Sequence, residues 1–392
     1  MKQIAIYDDE SRLAEEYKKR LSVKPFSQMF KLECISEDDF EAQLAVLRNR
    51  QEAIRKGRKW TEDSIGLDKT SVFIVDFDLF QTSSFLTGEE VAYMARCFSR
   101  CGLIIGLNLE SRKRVSTSYF DLALTGHPES FCDLNIDSAQ IDNPGLWTDD
   151  KVGFRPWHWP LIPEYLVSME KRVDDVLQNP TKPIMEFLHF GKILQLFPNS
   201  ALKYLGGKPE EVTFEKFVRS SGNGIRGRDK SNEEMVARIG AARVSKWLER
   251  LVLSGQDIVV DAPHLVSRFS SLLLGDHDKL ATWNKTTALS AKADLGIDHT
   301  YIEAFAFERS HWLSRPAWFW NDVYMNSNIK EVEEPWKAET AKFAFCEDSS
   351  TFEKHDDCRE FNASVDSPYN RRYIHAVQFP DVDYAPKVLL VQ

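Results

Sequence analysis

The stretch that most constrains this chain is Ser71-Val-Phe-Ile-Val-Asp-Phe-Asp78. Val72 to Val75 is a short, unbroken run of β-branched and aromatic residues, the pattern of a strand buried on both faces of a parallel sheet. The run stops at Asp76, and Asp78 follows two residues on. In an open α/β sheet the carboxyl ends of the strands face one crevice, which is where ligands bind. A carboxylate held there needs a cation, a phosphoryl group or a hydrogen-bond donor as its partner.

The flanking sequence supplies the rest of such a sheet. Gln3-Ile-Ala-Ile-Tyr7 reads as a strand that ends in Asp8-Asp9-Glu10, and Glu10 to Leu21 as a helix with Leu13, Tyr17 and Leu21 at fourfold spacing. Phe30 to Ile35 is a second strand, and Ser36-Glu-Asp-Asp caps a helix running from about Phe40 to Ile54. After the central strand, Thr87-Gly-Glu-Glu opens a helix that turns Val91, Met94 and Ala95 towards the sheet. Gly102 to Leu107 is a fourth strand ending at Asn108; a helix-like stretch at about 116–124 leads to Phe131–Ile136 as a fifth. Strands alternating with helices at this spacing predict βαβ units and a doubly wound, five-stranded parallel sheet.

Three strand ends then meet: Asp8 and Asp9 from the first strand, Asp76 from the third and Asn108 from the fourth. Crowded carboxylates repel, and a hard divalent cation relieves the repulsion. Mg²⁺ suits the site, because it takes one or two carboxylates, a backbone carbonyl (here that of Asp78) and waters. With Mg²⁺ bound, an Asp76 oxygen is placed to act as a nucleophile towards a phosphoryl donor.

The order strand–Asp-Asp, hydrophobic run–Asp, then Gly-Glu-Glu-Val at a helix start resembles the receiver domain of two-component response regulators, over roughly residues 1–140. The resemblance implies a flavodoxin-like fold, with Asp8 and Asp9 as the acidic metal-binding pair, Asp76 as phosphoacceptor and Gly88 as the glycine that starts the third helix. It also implies a histidine kinase or other signalling protein as partner. Two positions depart from the family. Asn108 stands where a Ser or Thr is expected. Phe131–Ile136 lacks the strand-five lysine, with Asp133 where positive charge is expected. A phosphoryl group on Asp76 would then rest on the metal and the Asn108 amide.

Beyond residue 140 the resemblance ends. At 392 residues the chain is too long for one ordinary core. Asp142-Asn-Pro-Gly and Phe154–Pro160 break all periodicity. The expected division is a receiver-like domain over 1–140, a mainly helical α+β effector or interaction region over 141–335, and a small β-containing unit over 336–392 packed on it. Trp147, Trp157 and Trp159 read as packed inter-domain aromatics. Helices are expected over Ile162–Gln178, with Leu166, Met169, Val173 and Leu177 on one face. Others are expected over Asn199–Leu205, closed by Gly206 and Gly207, over Glu233–Leu253, and over Leu265–Leu274, where Asp261-Ala-Pro-His264 starts the helix. Ser220–Lys230 is glycine-rich but lacks a Walker Lys-Ser/Thr ending, and reads as a solvated loop. Asp276-His-Asp278, His299 and His311 lack a second cluster at ligand spacing and read as polar loop residues rather than a metal site. Short strands are expected at Ala344–Ser350, Arg371–Val377 and Pro386–Val391.

Composition narrows the function. A formal charge of −10 argues against a chain that coats nucleic acid, and no basic recognition helix is present. No apolar run approaches the roughly 20 residues of a membrane span. The acidic residues close behind Met1 are unlike a signal peptide, so the expected setting is cytoplasmic. The six cysteines lack zinc-ribbon spacing, and Cys97 and Cys101 read as small buried hydrophobes. The leading expectation is therefore a signalling protein with an atypical receiver controlling a helical region. An adaptor with a degenerate receiver is the alternative, and a Mg²⁺-dependent phosphohydrolase ranks third, because no cation is placed by sequence for the developing charge. Homo-oligomerisation is left open.

Overall fold

The computed structural model describes residues 1–58, 64–79, 86–108, 130–137, 141, 144–148, 159–220, 233–287, 295–326, 328–329, 342–362 and 371–375. The predicted central strand forms as β3 (Val72–Asp76), with every residue buried. It pairs on one side with β1 (Lys2–Tyr7), setting Ile4 beside Val72 and Tyr7 beside Val75. On the other side lies β4 (Leu103–Asn108), with Asp76 beside Leu107. β2 (Phe30–Cys34) flanks β1 and β5 (Leu134–Asp137) flanks β4, giving a five-stranded parallel sheet in the order β2-β1-β3-β4-β5. This is the flavodoxin-like arrangement expected from the sequence.

Successive strand residues point to opposite faces, so the sheet has two apolar layers to cover. Ile4, Ile6, Val72, Ile74, Leu103 and Ile105 pack under α1 (Ser11–Leu21), which contributes Ala14, Tyr17 and Leu21. Trp147 and Trp159 complete this layer with their rings edge-on at 5.5 Å; Trp157 lies outside the described residues. The opposite face, with Ala5, Tyr7, Phe73, Val75 and Ile104, is covered by α2 (Glu37–Arg55) and α3 (Gly88–Phe98). α2 is capped by Ser36, whose Oγ accepts from the Asp39 N–H, and α3 by a reciprocal Thr87–Glu90 capping box. The stretch at 116–124 lies outside the described residues.

Two buried ion pairs fasten this layer. Arg50 holds Asp68 through two parallel bonds of 3.0 and 2.7 Å and donates a third to the Phe98 carbonyl at 2.8 Å. Burial opposes ionisation of Asp68, but Arg50 and the N–H groups of Ile65 and Arg100 outweigh it and keep the carboxyl below its ordinary range. Arg96 pairs with Asp133, whose Oδ2 also accepts from the Ile104 N–H at 2.7 Å.

The remaining chain is mostly helical: α4 (Ile162–Gln178), α5 (Asn199–Leu205), α6 (Phe214–Arg219), α7 (Glu233–Trp247) and α8 (Ala262–Arg268). α4 buries Leu166, Met169 and Val173 as expected, whereas Leu177, in its last turn, is 40% exposed. α7 is shorter than its periodicity implied. Its regular hydrogen bonding ends at Trp247 and gives way to one wide π turn over Leu248–Val252, then a 3-10 turn ending at a left-handed Gln256. The helix expected to start at Asp261-Ala-Pro-His264 does begin there, at Ala262, with Asp261 accepting from the His264 N–H as its cap, but it stops at Arg268, short of Leu274, before a 3-10 turn.

β6 (Val259–Asp261) and β7 (Ala317–Phe319) form an antiparallel pair. Four more strands, β8 (Phe343–Cys346), β9 (Thr351–Lys354), β10 (Cys358–Asn362) and β11 (Arg371–His375), make a sheet in the order β10-β11-β8-β9. The strand expected over Ala344–Ser350 therefore ends at Cys346, where Glu347 to Ser350 turn back inside the protein; Pro386–Val391 lies outside the described residues. Among the described residues, no helix is long and apolar enough to cross a membrane.

One feature of the packing positions everything else. The layer over α3 does not end at α3: its apolar cluster runs on without a break through α4, α6 and α7 to Phe345 and Phe352 of the C-terminal sheet. Polar contacts cross the same seam. Arg238 of α7 donates to the Arg100 carbonyl at 3.3 Å, and Lys246 donates to the carbonyls of Ser130 and Cys132 just ahead of β5.

Candidate functional site

At the carboxyl end of β1 the chain leaves the sheet as Asp8-Asp9-Glu10, and at the end of β3 as Asp76-Phe-Asp78. Because β1 and β3 are neighbours in register, these two exits lie side by side. Carboxylate oxygens of Asp8, Asp9 and Asp76 fall within 4.8 Å of one another. Asp8 and Asp76 are almost fully buried, and Asp9 is half-buried.

Three acids so close cannot all ionise cheaply in a buried setting. Burial, with Asp8, Asp9 and Asp78 adding repulsion, pushes the Asp76 carboxyl up to about 8, while the Phe77 N–H pulls the other way. Burial also raises Asp8 to about 6 against the help of the Glu10 N–H, which its Oδ1 accepts at 2.8 Å. Asp8 Oδ2 is buried without any hydrogen-bond partner. A buried carboxylate oxygen lacking a donor, facing two further carboxylates, suits a hard cation in a way that a capped helix start does not. Asp8, Asp9 and Asp76 therefore form a group able to hold a metal ion.

The floor of the crevice is set by α3. Gly88 donates its N–H to the Phe77 carbonyl at 2.9 Å, so the first turn of α3 lies directly on the chain leaving β3. A Cβ at Gly88 would fall 2.2 Å from the Asp76 carbonyl oxygen and 2.7 Å from Phe77 Cα, which explains the glycine physically. On the other side Tyr7 stacks on Phe40 with ring centroids 3.6 Å apart.

Two expectations about the neighbouring strands are refined. Asn108 ends β4 one position beyond the partner of Asp76, in register beside Asp137 of β5; its side chain lies outside what is described. Asp133 does not occupy the position assigned to it from the sequence. β5 begins at Leu134, so Asp133 precedes the strand and sits at the end of the sheet away from the acids, paired with Arg96. The strand-five end is Asp137, an acidic residue where the resemblance implies a lysine. Asp78, two residues beyond Asp76, acts on it through its charge.

A second buried polar group was not foreseen. His264 Nδ1 lies 2.7 Å from Asp261 Oδ1, and its Nε2 lies 3.2 Å from Glu347 Oε1. Arg315 approaches Asp261 at 3.5 Å, and Arg372 pairs with Glu347. Burial works against the charged imidazole, but Asp261 and Glu347 outweigh it and raise His264 above its ordinary value. This group ties α8 to β8 and β11. Of the other histidines singled out, His311 donates from Nε2 to Asp175 Oδ2 at 2.6 Å, and His277 donates from Nε2 to the Leu273 carbonyl at 2.7 Å. None of them joins a metal-ligating group among the described residues.

Comparison with protein-family models, with curated proteins and with solved structures yields no match for this chain.

Proposed function

We propose that this chain is a regulatory protein whose N-terminal sheet carries a Mg²⁺-dependent phosphoacceptor, Asp76, and whose helical region responds to the change of charge there. The observation that carries the reading is the convergence of Asp8, Asp9 and Asp76 within 4.8 Å at the carboxyl ends of two adjacent parallel strands. Asp8 and Asp9 would hold the cation, with Asp76 as a shared ligand. Bound Mg²⁺ would offset most of the charge of the carboxylates and draw in an incoming phosphoryl oxygen.

The chain's own residues supply the rest of the chemistry. An Asp76 oxygen attacks phosphorus of a small phosphate donor, the bond to the donor's leaving oxygen breaks, and an aspartyl phosphate remains on Asp76. Gly88 lets the first turn of α3 rest on the main chain of Asp76 and Phe77, so a shift of that strand end would bear on the helix. α3 is in turn part of the apolar layer shared with α7, which gives a physical path from the acids to the helical region. A histidine kinase or another signalling protein is the expected phosphoryl source, and a protein partner the expected reader.

The test uses the whole 392-residue chain with acetyl phosphate, with and without Mg²⁺. The reading expects a Mg²⁺-dependent mass gain of one phosphoryl group that is absent in Asp76→Asn. No gain in the native chain would sink the switch and favour an adaptor with a degenerate receiver. Continuous release of inorganic phosphate, lost in both Asp9→Asn and Asp76→Asn, would instead show a phosphohydrolase.

A further inference from the structure

Between α4 and the segment Ser310–Pro316 lies a cavity of about 230 Å³. Its charged and aromatic lining consists of Glu164, Tyr165, Lys171, Arg172, His311 and Arg315. Arg315 is paired with Asp261 and His311 with Asp175, so Lys171 and Arg172 are the cations left to the cavity, against Glu164. Arg172 is the unusual member. It is 1% exposed, its Nε donates to the His311 carbonyl at 2.6 Å, and its guanidinium lies 5.2 Å from the centre of the Tyr165 ring. Its Nη1 is buried with no acceptor. Among the described residues, no carboxylate stands within ion-pair distance of it. A buried guanidinium with an N–H that no protein group accepts is costly.

We propose that this cavity is a binding site for a small phosphate-bearing anion, seated on Arg172 with Lys171 at its mouth. Phosphate fits the donors better than a carboxylate would. A guanidinium offers a planar fork to phosphoryl oxygens, a lysine adds a mobile point charge, and the hydroxyls of Ser168, Ser310 and Ser314 add neutral donors to the same wall. At about 230 Å³ the cavity has room for a phosphate with a short organic part. Burial lowers the Arg172 pKa despite help from Tyr165, Glu249 and Asp133, in keeping with a cation that the protein alone leaves under-compensated.

The position gives an occupant a route to the sheet. Tyr165, Arg172, Pro160 and Ser314 also line a second, water-sized cavity whose far wall is Asp133, Leu134 and Lys246. An anion in the larger cavity would therefore bear on the entry to β5, at the end of the sheet opposite the acidic cluster. The site is independent of chemistry at Asp76.

Calorimetric titration of the whole 392-residue chain, in buffer with chelator and without Mg²⁺, tests this with inorganic phosphate and pyrophosphate as probes. The expected result is saturable one-site binding, weakened about tenfold or more in both Lys171→Glu and Arg172→Lys, and unchanged in Asp76→Asn. Lys171 is exposed, so Lys171→Glu should fold, as its thermal transition will show, even if Arg172→Lys does not. Absence of saturable binding of both probes, undiminished binding by Lys171→Glu, or loss of binding in Asp76→Asn would overturn the proposal.

Discussion

Gly88 and Asp76 are fitted to each other at main-chain distance: the place where a side chain would begin on Gly88 is 2.2 Å from the Asp76 carbonyl oxygen. Neither backbone can move aside alone, since Asp76 is locked in β3 between β1 and β4 and Gly88 opens the capped helix α3. The acidic cluster and the helix above it therefore share one geometry.

Gly88→Ala is accordingly expected to destabilise the chain by about 1–3 kcal/mol, because an added methyl group must displace main chain rather than a flexible side chain. Denaturant melting checks the loss. The same variant should bind Mg²⁺ more weakly than the native chain at matched folded fraction, since moving Gly88 moves Asp76. A variant as stable as the native chain would remove the close fit as an explanation for the glycine.

Repulsion among the three acids sets a second expectation. Without metal at neutral pH, Asp76→Asn should be more stable than the native chain by about 1 kcal/mol or more, because folding must otherwise hold on Asp76 a proton that the unfolded chain releases, or leave a third buried charge beside two others. Adding Mg²⁺ should raise the melting temperature of the native chain and have little effect on Asp76→Asn or Asp8→Asn. Equal metal stabilisation in all three would show that Mg²⁺ acts elsewhere.

The Arg96–Asp133 pair is almost fully buried, so breaking it leaves a lone charge in the interior. Asp133→Asn is expected to cost about 3–5 kcal/mol, and the double variant Arg96→Met with Asp133→Leu to recover most of that loss. The comparison of urea midpoints distinguishes an uncompensated charge from a pair that is stabilising in its own right.

His264 supplies a pH dependence of definite sign. Its pKa is raised in the folded chain, so its contribution is fully present below the ordinary imidazole value and disappears as pH rises through the raised value. The stability difference between the native chain and His264→Gln should therefore be largest in mildly acidic solution and shrink in alkaline solution. A difference that grows with pH would mean that the imidazole is neutral between Asp261 and Glu347.

The sheet was legible in the sequence because its signals are local. An apolar run of fixed length ending in Asp76 marks β3, and Thr87–Glu90 marks the start of α3 through a bond that spans three residues. The convergence of Asp8, Asp9 and Asp76 followed from strand order alone. Asp133 was misplaced because Phe131 and Cys132 look like strand residues; they are held by Glu89 and Lys246 instead of a ladder, and β5 starts after them. The Arg96 partner was hidden for a different reason: it lies 37 positions away, and no local pattern announces it. The same holds for His264 and Glu347, 83 positions apart, each of which reads as an ordinary polar residue until the fold joins them.

The apolar layer that passes unbroken from the sheet through α4 and α7 to the C-terminal strands also decides how the chain comes apart. Elements that share one interior cannot melt in turn without exposing it, so heating should give a single cooperative transition spanning both the parallel sheet and the helices. Protease cleavage near residue 150 would then yield two associated pieces in place of a free N-terminal fragment. A signal arising at Asp76 would travel in the same currency, as a redistribution of strain within one solid body rather than the release of one part from another.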